Sequence, residues 1–166
     1  QQIEYQLARA RSAAGSGAPG AISRLSDVLA PILSAMRRLH PDKRFDLVNH
    51  AGPEAAWPVD PVDLSELLSN LIDNAGKWSE SRVQLVIGED GSVRVVDDGP
   101  GLAVGDIARA FEIGSRFDPG KPGSGLGLAI AHDIATAYGL ALTLENRPSP
   151  AHGLIVQLRA RGPTGP

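Results

Sequence analysis

Three short segments of this chain carry residue types whose spacing can do chemistry. In the first, Glu66, Asn70, Asn74 and Lys77 recur every three or four residues, so at roughly 100° per residue they share one stripe of a helix. A carboxylate, two amide oxygens and an ammonium along one face can hold a hydrated Mg²⁺ and the phosphates it bridges. A solvated helix face accounts for the same residues, although two carboxamides are poor helix formers for such a surface. In the second, the strand-like segment Val93–Val96 ends in Asp97-Asp98-Gly99-Pro100-Gly101. A carboxylate at a strand end can accept a hydrogen bond from an exocyclic amine, and the glycines let a flat ring approach the backbone. Taken alone, a turn is the simpler reading, because Asp-Gly and Pro-Gly are ordinary turn pairs. The third, Gly123-Ser124-Gly125-Leu126-Gly127-Leu128, opens a helical pattern. Backbone N–H groups at such a start form an anion site, and phosphate is the obvious guest.

Two other glycine-loop chemistries fit less well. The spacing is GxGxG rather than GxGxxG, and the preceding segment Phe117–Pro122 is not strand-like, although Glu145 lies twenty residues after Gly125. A Walker A loop fails because Lys121 is followed by Pro122 and the required earlier glycine is missing.

The elements that must position these segments can be read from periodicity. Residues 1–14 form a short helical pattern with Ile3, Leu7 and Ala10 in register, and 15–20 read as a glycine-rich hinge. A second helix covers 21–39, with Ile22, Leu25, Leu29, Ile32, Leu33, Met36 and Leu39 on one stripe and Pro31 inside it. Residues 44–49 alternate as a strand, 53–61 read as loop, and 63–78 form an amphipathic helix whose apolar side is Leu64, Leu67, Leu68, Leu71, Ile72 and Ala75. Strands at 83–87 and 93–96 form a hairpin turning at Glu89-Asp90-Gly91. A short helical piece near 104–111, a working loop at 114–125, a helix at 126–138 and strands near 140–145 and 153–159 follow. The tail from Gly162 reads as frayed. The expected fold is an α/β two-layer sandwich: a mixed, mainly antiparallel sheet with about three helices on one face.

Composition narrows the function classes. The chain has 166 residues, 42% apolar and 21% charged, which suits one globular domain. No cysteine is present, so disulfides, thiolate metal sites and cysteine nucleophiles are excluded. The net charge of −3, without a basic cluster, argues against nucleic acid as a partner. No apolar run approaches the ~20 residues that span a bilayer. The chain opens on Gln1 rather than Met and reads as a piece of something longer.

Taken together and in order, the motifs resemble the GHKL ATP-binding superfamily, with its Bergerat fold. Residues 66–78 look like its N box, Asp97–Gly101 like its G1 box, Phe111–Phe117 like its F box and Gly123–Leu128 like its G2 box. The F box points to sensor histidine kinases, closest in wording to PhoQ-like members, over about residues 21–160. The resemblance implies that Asn70 ligates Mg²⁺ and that Asn74 and Lys77 contact phosphates. It implies that Asp97 receives the adenine amino group, with Gly99, Gly101 and Leu102 lining the purine pocket. Gly123, Ser124, Gly125, Leu126, Gly127 and Leu128 would close over the phosphates, with Arg116 and Lys121 as γ-phosphate partners. Glu66, Lys77 and Arg116 are the catalytic candidates.

It further implies a division into 1–14 as the tail of a dimerisation helix, 15–20 as hinge, 21–161 as catalytic domain and 162–166 as tail. The implied partners are ATP, the dimerisation and histidine-phosphotransfer domain of the same protein, and a response-regulator receiver domain. The full-length protein would be a homodimeric bacterial inner-membrane sensor with this domain in the cytoplasm, and the piece itself a monomer. A nucleotide-sensing module or a GHKL ATPase without histidine transfer remains the alternative. Ser65 stands where many N boxes carry His, Trp78 replaces Tyr or Phe, and the closing Gly-Thr appears only as His152-Gly153-Leu154. None of His40, His50, His132 and His152 sits on a helix preceding the domain, so the phosphoacceptor is expected elsewhere.

Overall fold

The computed structural model describes residues 20–112 and 125–160. Five strands form the main sheet: β2 (Arg44–Asn49), β4 (Arg82–Ile87), β5 (Val93–Asp97), β6 (Leu140–Asn146) and β7 (Leu154–Ala160). Their order is β2-β4-β5-β7-β6; only β2 and β4 run parallel, and the other three pairings are antiparallel. Three helices lie against it: α1 (Leu25–Leu39), α2 (Pro61–Trp78) and α4 (Gly127–Ala137), while α3 (Val104–Ile107) is a single turn. Alternation along the strands sends Val83, Leu85, Ile87, Val93, Val95, Val156 and Leu158 to one face. There they share a single core with Leu29 and Ile32 of α1, Leu64, Leu67, Leu68, Leu71 and Ile72 of α2, and Ile134 of α4. The mixed sheet covered by helices on one face is the expected architecture.

The outer elements differ from the expectation in detail. Residues 53–61, read as loop, contain β3 (Ala56–Trp57), which pairs with β1 (Ser23–Arg24) in a separate two-stranded ribbon. The helix expected over 21–39 therefore starts at Leu25, and Ile22, placed on its apolar stripe, is exposed; so is Leu39 at its other end. Two-residue strands have no room for periodicity, so pattern alone does not find them. Trp57 anchors the ribbon, buried, with its indole N–H donated to the Gly91 carbonyl at 3.0 Å. Pro31 stands inside α1 and removes one backbone bond without ending the helix.

Two contacts fix α2, which carries the polar stripe. Asp60 caps it by accepting the Val62 N–H at 2.8 Å, and Pro61 takes the first helical position, where its missing N–H costs nothing. At the same end, buried Asp63 accepts a 2.5 Å hydrogen bond from the Tyr138 hydroxyl, which ties the end of α4 to the start of α2. Burial, reinforced by the Asp63 charge, pushes the Tyr138 phenol up to about 12, so it stays a donor throughout the physiological range.

Candidate functional site

The apolar side of α2 is consumed by the core, which leaves its polar stripe half-buried along the groove toward α4. Asn70 donates one amide N–H to the Glu66 carbonyl one turn back at 3.0 Å, which fixes the orientation of the amide and leaves Oδ1 as its acceptor. That oxygen faces the first turn of α4: a Cβ built on Gly127 would lie 3.3 Å from it. A side chain there would crowd the groove, and glycine keeps it open. Asn74 and Glu66 are likewise half-buried on this stripe. A neutral amide oxygen on the same stripe as a carboxylate offers hard donors that suit Mg²⁺ and fit poorly with softer metals. Among the described residues no cluster of three or more His, Asp and Glu side chains competes as a metal centre.

Lys77 lies one turn further on. Its Nζ stands 2.6 Å from Asp73 Oδ2, and the other oxygen of that carboxylate is 3.0 Å from His40 Nε2. His40 itself packs over Gly76, where a Cβ would come within 2.8 Å of the imidazole Cδ2. The cation on the stripe is thus oriented by a carboxylate and a histidine behind it, an arrangement the i,i+4 spacing of Asp73 and Lys77 signals in the sequence.

At the end of β5 the two aspartates have opposite roles. Asp98 turns outward and accepts from the backbone N–H groups of Glu80, Ser81 and Arg82 and from the Ser81 hydroxyl, at 2.6–3.2 Å. Partial burial opposes its ionisation, but these donors outweigh that and hold it at about 2. Asp97 is only 4% exposed. Its Oδ1 accepts from the N–H of Gly99 at 2.8 Å and of Leu154 at 3.2 Å. Among the described residues no hydrogen bond engages Oδ2. Burial raises the Asp97 carboxyl above its ordinary value, only partly offset by the two N–H donors.

The backbone around Asp97 is compressed to a degree that only glycine permits. A Cβ on Gly99 would lie 2.3 Å from the Trp78 carbonyl oxygen, and one on Gly153, whose φ is 115°, would lie 2.1 Å from that of Asp97. Such approaches exclude any side chain. In the segment that departs from Gly-Thr, the Leu154 backbone N–H reaches Asp97 directly.

Leu102 follows this loop, half-buried, with its N–H and carbonyl both taken by Asn146. On the other side of the groove, Gly125 has a φ of 70°, Leu126 precedes α4 without a side-chain cap, and Leu128 is half-buried in the helix's first turn. The first turn of α4 borders the same groove as Asn70, so its leading N–H groups lie at that end of the site. Arg116, Lys121, Gly123 and Ser124 lie outside the described residues, as do the 1–14 helix, the 15–19 part of the hinge and the tail. Phe111, at the start of the F-box segment, stacks on His132 with ring centroids 5.1 Å apart. This uses His132 as a packing group.

The sequence reading missed Asn146, Arg147 and His152, all of which touch the Asp97–Leu102 loop. They sit at the end of β6 and in the turn that follows it, and nothing in their spacing points to a loop about 50 residues earlier.

A buried strand-end carboxylate flanked by glycines, a carboxamide stripe and a glycine-containing helix start on one side of a mixed sheet define a nucleotide-binding class of site. The chain belongs to the histidine kinase-, DNA gyrase B- and HSP90-like ATPase family, whose model matches residues 59–163. Within that family it is similar to sensor kinases of the PhoQ type. The sensor protein kinase CarS of Pseudomonas aeruginosa is 38% identical over 161 residues, covering 95% of this chain and 35% of that protein. The two-component sensor PhoQ of the same organism is 37% identical over 149 residues, covering 88% of this chain and 33% of that protein. Among solved structures, the mycobacterial sensor histidine kinase MprB superposes with a TM-score of 0.73 at 27% identity, covering 84% of this chain and 95% of that one. The chain thus spans about a third of the length of the curated relatives it matches.

Proposed function

We propose that this chain is the catalytic domain of a two-component sensor histidine kinase, which binds Mg-ATP and delivers the γ-phosphate to a histidine on a dimerisation domain outside it. The observation that carries the reading is the state of Asp97: buried, fixed through one oxygen by two backbone N–H groups, and with the other oxygen left to accept from the 6-amino group of adenine. Gly99, Gly101 and Leu102 form the purine end of the site, and Asn70, Asn74 and Lys77 its phosphate end. Asn70 Oδ1 is the atom that would hold Mg²⁺, which neutralises phosphate charge when bound. The start of α4 then receives phosphate oxygens through backbone N–H groups. Arg116 and Lys121 act on the γ-phosphate, and Glu66 assists as a polar neighbour.

Catalysis by such a site is positioning and charge neutralisation, with little covalent work by the domain. The sensor-kinase relatives support a histidine acceptor, a receiver domain as downstream partner, and a cytoplasmic placement in the longer protein. The experiment is to join this chain to its dimerisation domain and supply Mg²⁺ with γ-labelled ATP. The reading predicts label on protein that is lost in acid and kept in base, as for phosphohistidine. Nucleotide binding without label, or free phosphate as the sole product, would overturn it in favour of a sensing module or an ATPase.

A further inference from the structure

The end of β6 and the turn that leads to β7 grip the Asp97–Leu102 loop at several points. Asn146 Oδ1 accepts the Leu102 N–H at 2.9 Å while its Nδ2 donates to the Leu102 carbonyl at 2.7 Å, the pair of hydrogen bonds a neighbouring strand would make. His152 Nδ1 lies 3.0 Å from the Gly99 carbonyl oxygen. Arg147 Nη1 donates to the Asp97 carbonyl and to the His152 carbonyl, both at 3.3 Å, bracing the turn against itself and the loop. Two glycines allow the approach: Gly101, where a Cβ would lie 2.6 Å from Asn146 Oδ1, and Gly153, which presses on Asp97.

Asn146 and His152 are exposed residues and Arg147 is half-exposed, so none of the three is part of the hydrophobic core. Their side chains nevertheless converge on the backbone of one loop. We propose that Asn146, Arg147 and His152 form a clamp that sets the position of the Asp97 carboxylate and thereby the selectivity of the site for adenine over guanine. The inference rests on the reading of Asp97 as acceptor of the 6-amino group. Adenine presents a donor at that position and guanine an acceptor, so a carboxylate held there attracts one base and repels the other. Discrimination of this kind requires the group to be held within about 0.5 Å, and a loop that drifts farther loses it. The three are positioning residues, since each acts on the loop backbone and the base contact belongs to Asp97.

The test is calorimetric titration of the chain with Mg-ATP, Mg-GTP and Mg-tripolyphosphate, comparing the unmodified protein with Asn146→Ala, His152→Ala and the double variant. A loosened loop weakens ATP by roughly five- to tenfold per hydrogen-bonding side chain, leaves GTP and tripolyphosphate within about twofold, and so narrows the ATP-to-GTP ratio. His152→Asn, which sets an amide N–H where Nδ1 stands, restores the ratio. A general loss of fold would weaken all three ligands together. An unaltered ATP-to-GTP ratio in the double variant, or equal weakening of all three ligands, overturns the clamp. Asp97→Asn run alongside separates the two levels: if it alone abolishes the base preference, the adenine reading stands whatever the clamp variants do, and if it changes nothing, both fall.

Discussion

Asn70 Oδ1 stands 3.3 Å from the point where a Cβ on Gly127 would project, so the polar stripe of α2 and the start of α4 are within one atom's reach. This pairing predicts two different outcomes from two substitutions. Asn70→Ala removes the proposed Mg²⁺ ligand and should weaken Mg-dependent ATP binding by at least about tenfold, the low end of what even an indirect metal partner costs. ATP binding in excess chelator should change little. Gly127→Ala should change thermal stability by less than ~1 kcal/mol, since helix propensity favours alanine while its Cβ presses on Asn70. The same substitution crowds Asn70 and should weaken Mg-ATP. Calorimetry with and without Mg²⁺, beside thermal melts, reads both effects.

Asp98 predicts a stability effect distinct from nucleotide binding. Its folded value of about 2 lies below the ~3.9 of an unfolded aspartate. The stabilisation it gives is therefore present above pH ~4 and is lost as the pH falls toward 2. Asp98→Ala leaves the N–H groups of Glu80, Ser81 and Arg82 without their carboxylate and should cost about 2–3 kcal/mol at neutral pH. Urea unfolding at pH 7 and at pH 2–3 should show the gap between variant and parent shrinking in acid.

Gly153 tests the compression around Asp97. An alanine Cβ would lie 2.1 Å from the Asp97 carbonyl oxygen, at a φ of 115° that side chains rarely adopt. Gly153→Ala should destabilise the chain by more than ~3 kcal/mol, combining backbone strain with overpacking. A melting temperature within a degree or two of the parent would show that β7 has freedom to withdraw from the loop.

How much of this was legible beforehand depends on the range over which each signal acts. The 18-residue helix α2 announces itself by its apolar repeat, and its polar stripe is the other side of the same pattern. Asp97 is legible as a strand-end residue, and the period-2 alternation from Val93 and Val95 puts it, not Asp98, on the inward face; what the fold adds is the α2–β4 connection that Asp98 meets. Pro61 was readable as a helix start by its type, yet its company in a proline-rich stretch reads as loop. The β1–β3 ribbon is too short to show a period, and Ser23 belongs to it through a hydrogen bond to the Val59 carbonyl 36 residues on. Asn146, Arg147 and His152 look like ordinary turn residues until the β5–β7 pairing carries them to the Asp97 loop.

The adenine assignment of Asp97 is the claim on which the rest stands. Titration of ATP into the unmodified chain and into Asp97→Asn, in Mg²⁺ at neutral pH, tests it directly, since the substitution keeps the size of the side chain and removes its charge. With Asp97 as the adenine acceptor, Asp97→Asn weakens ATP by about tenfold or more while tripolyphosphate binding holds. Equal ATP affinity in the two proteins would contradict it.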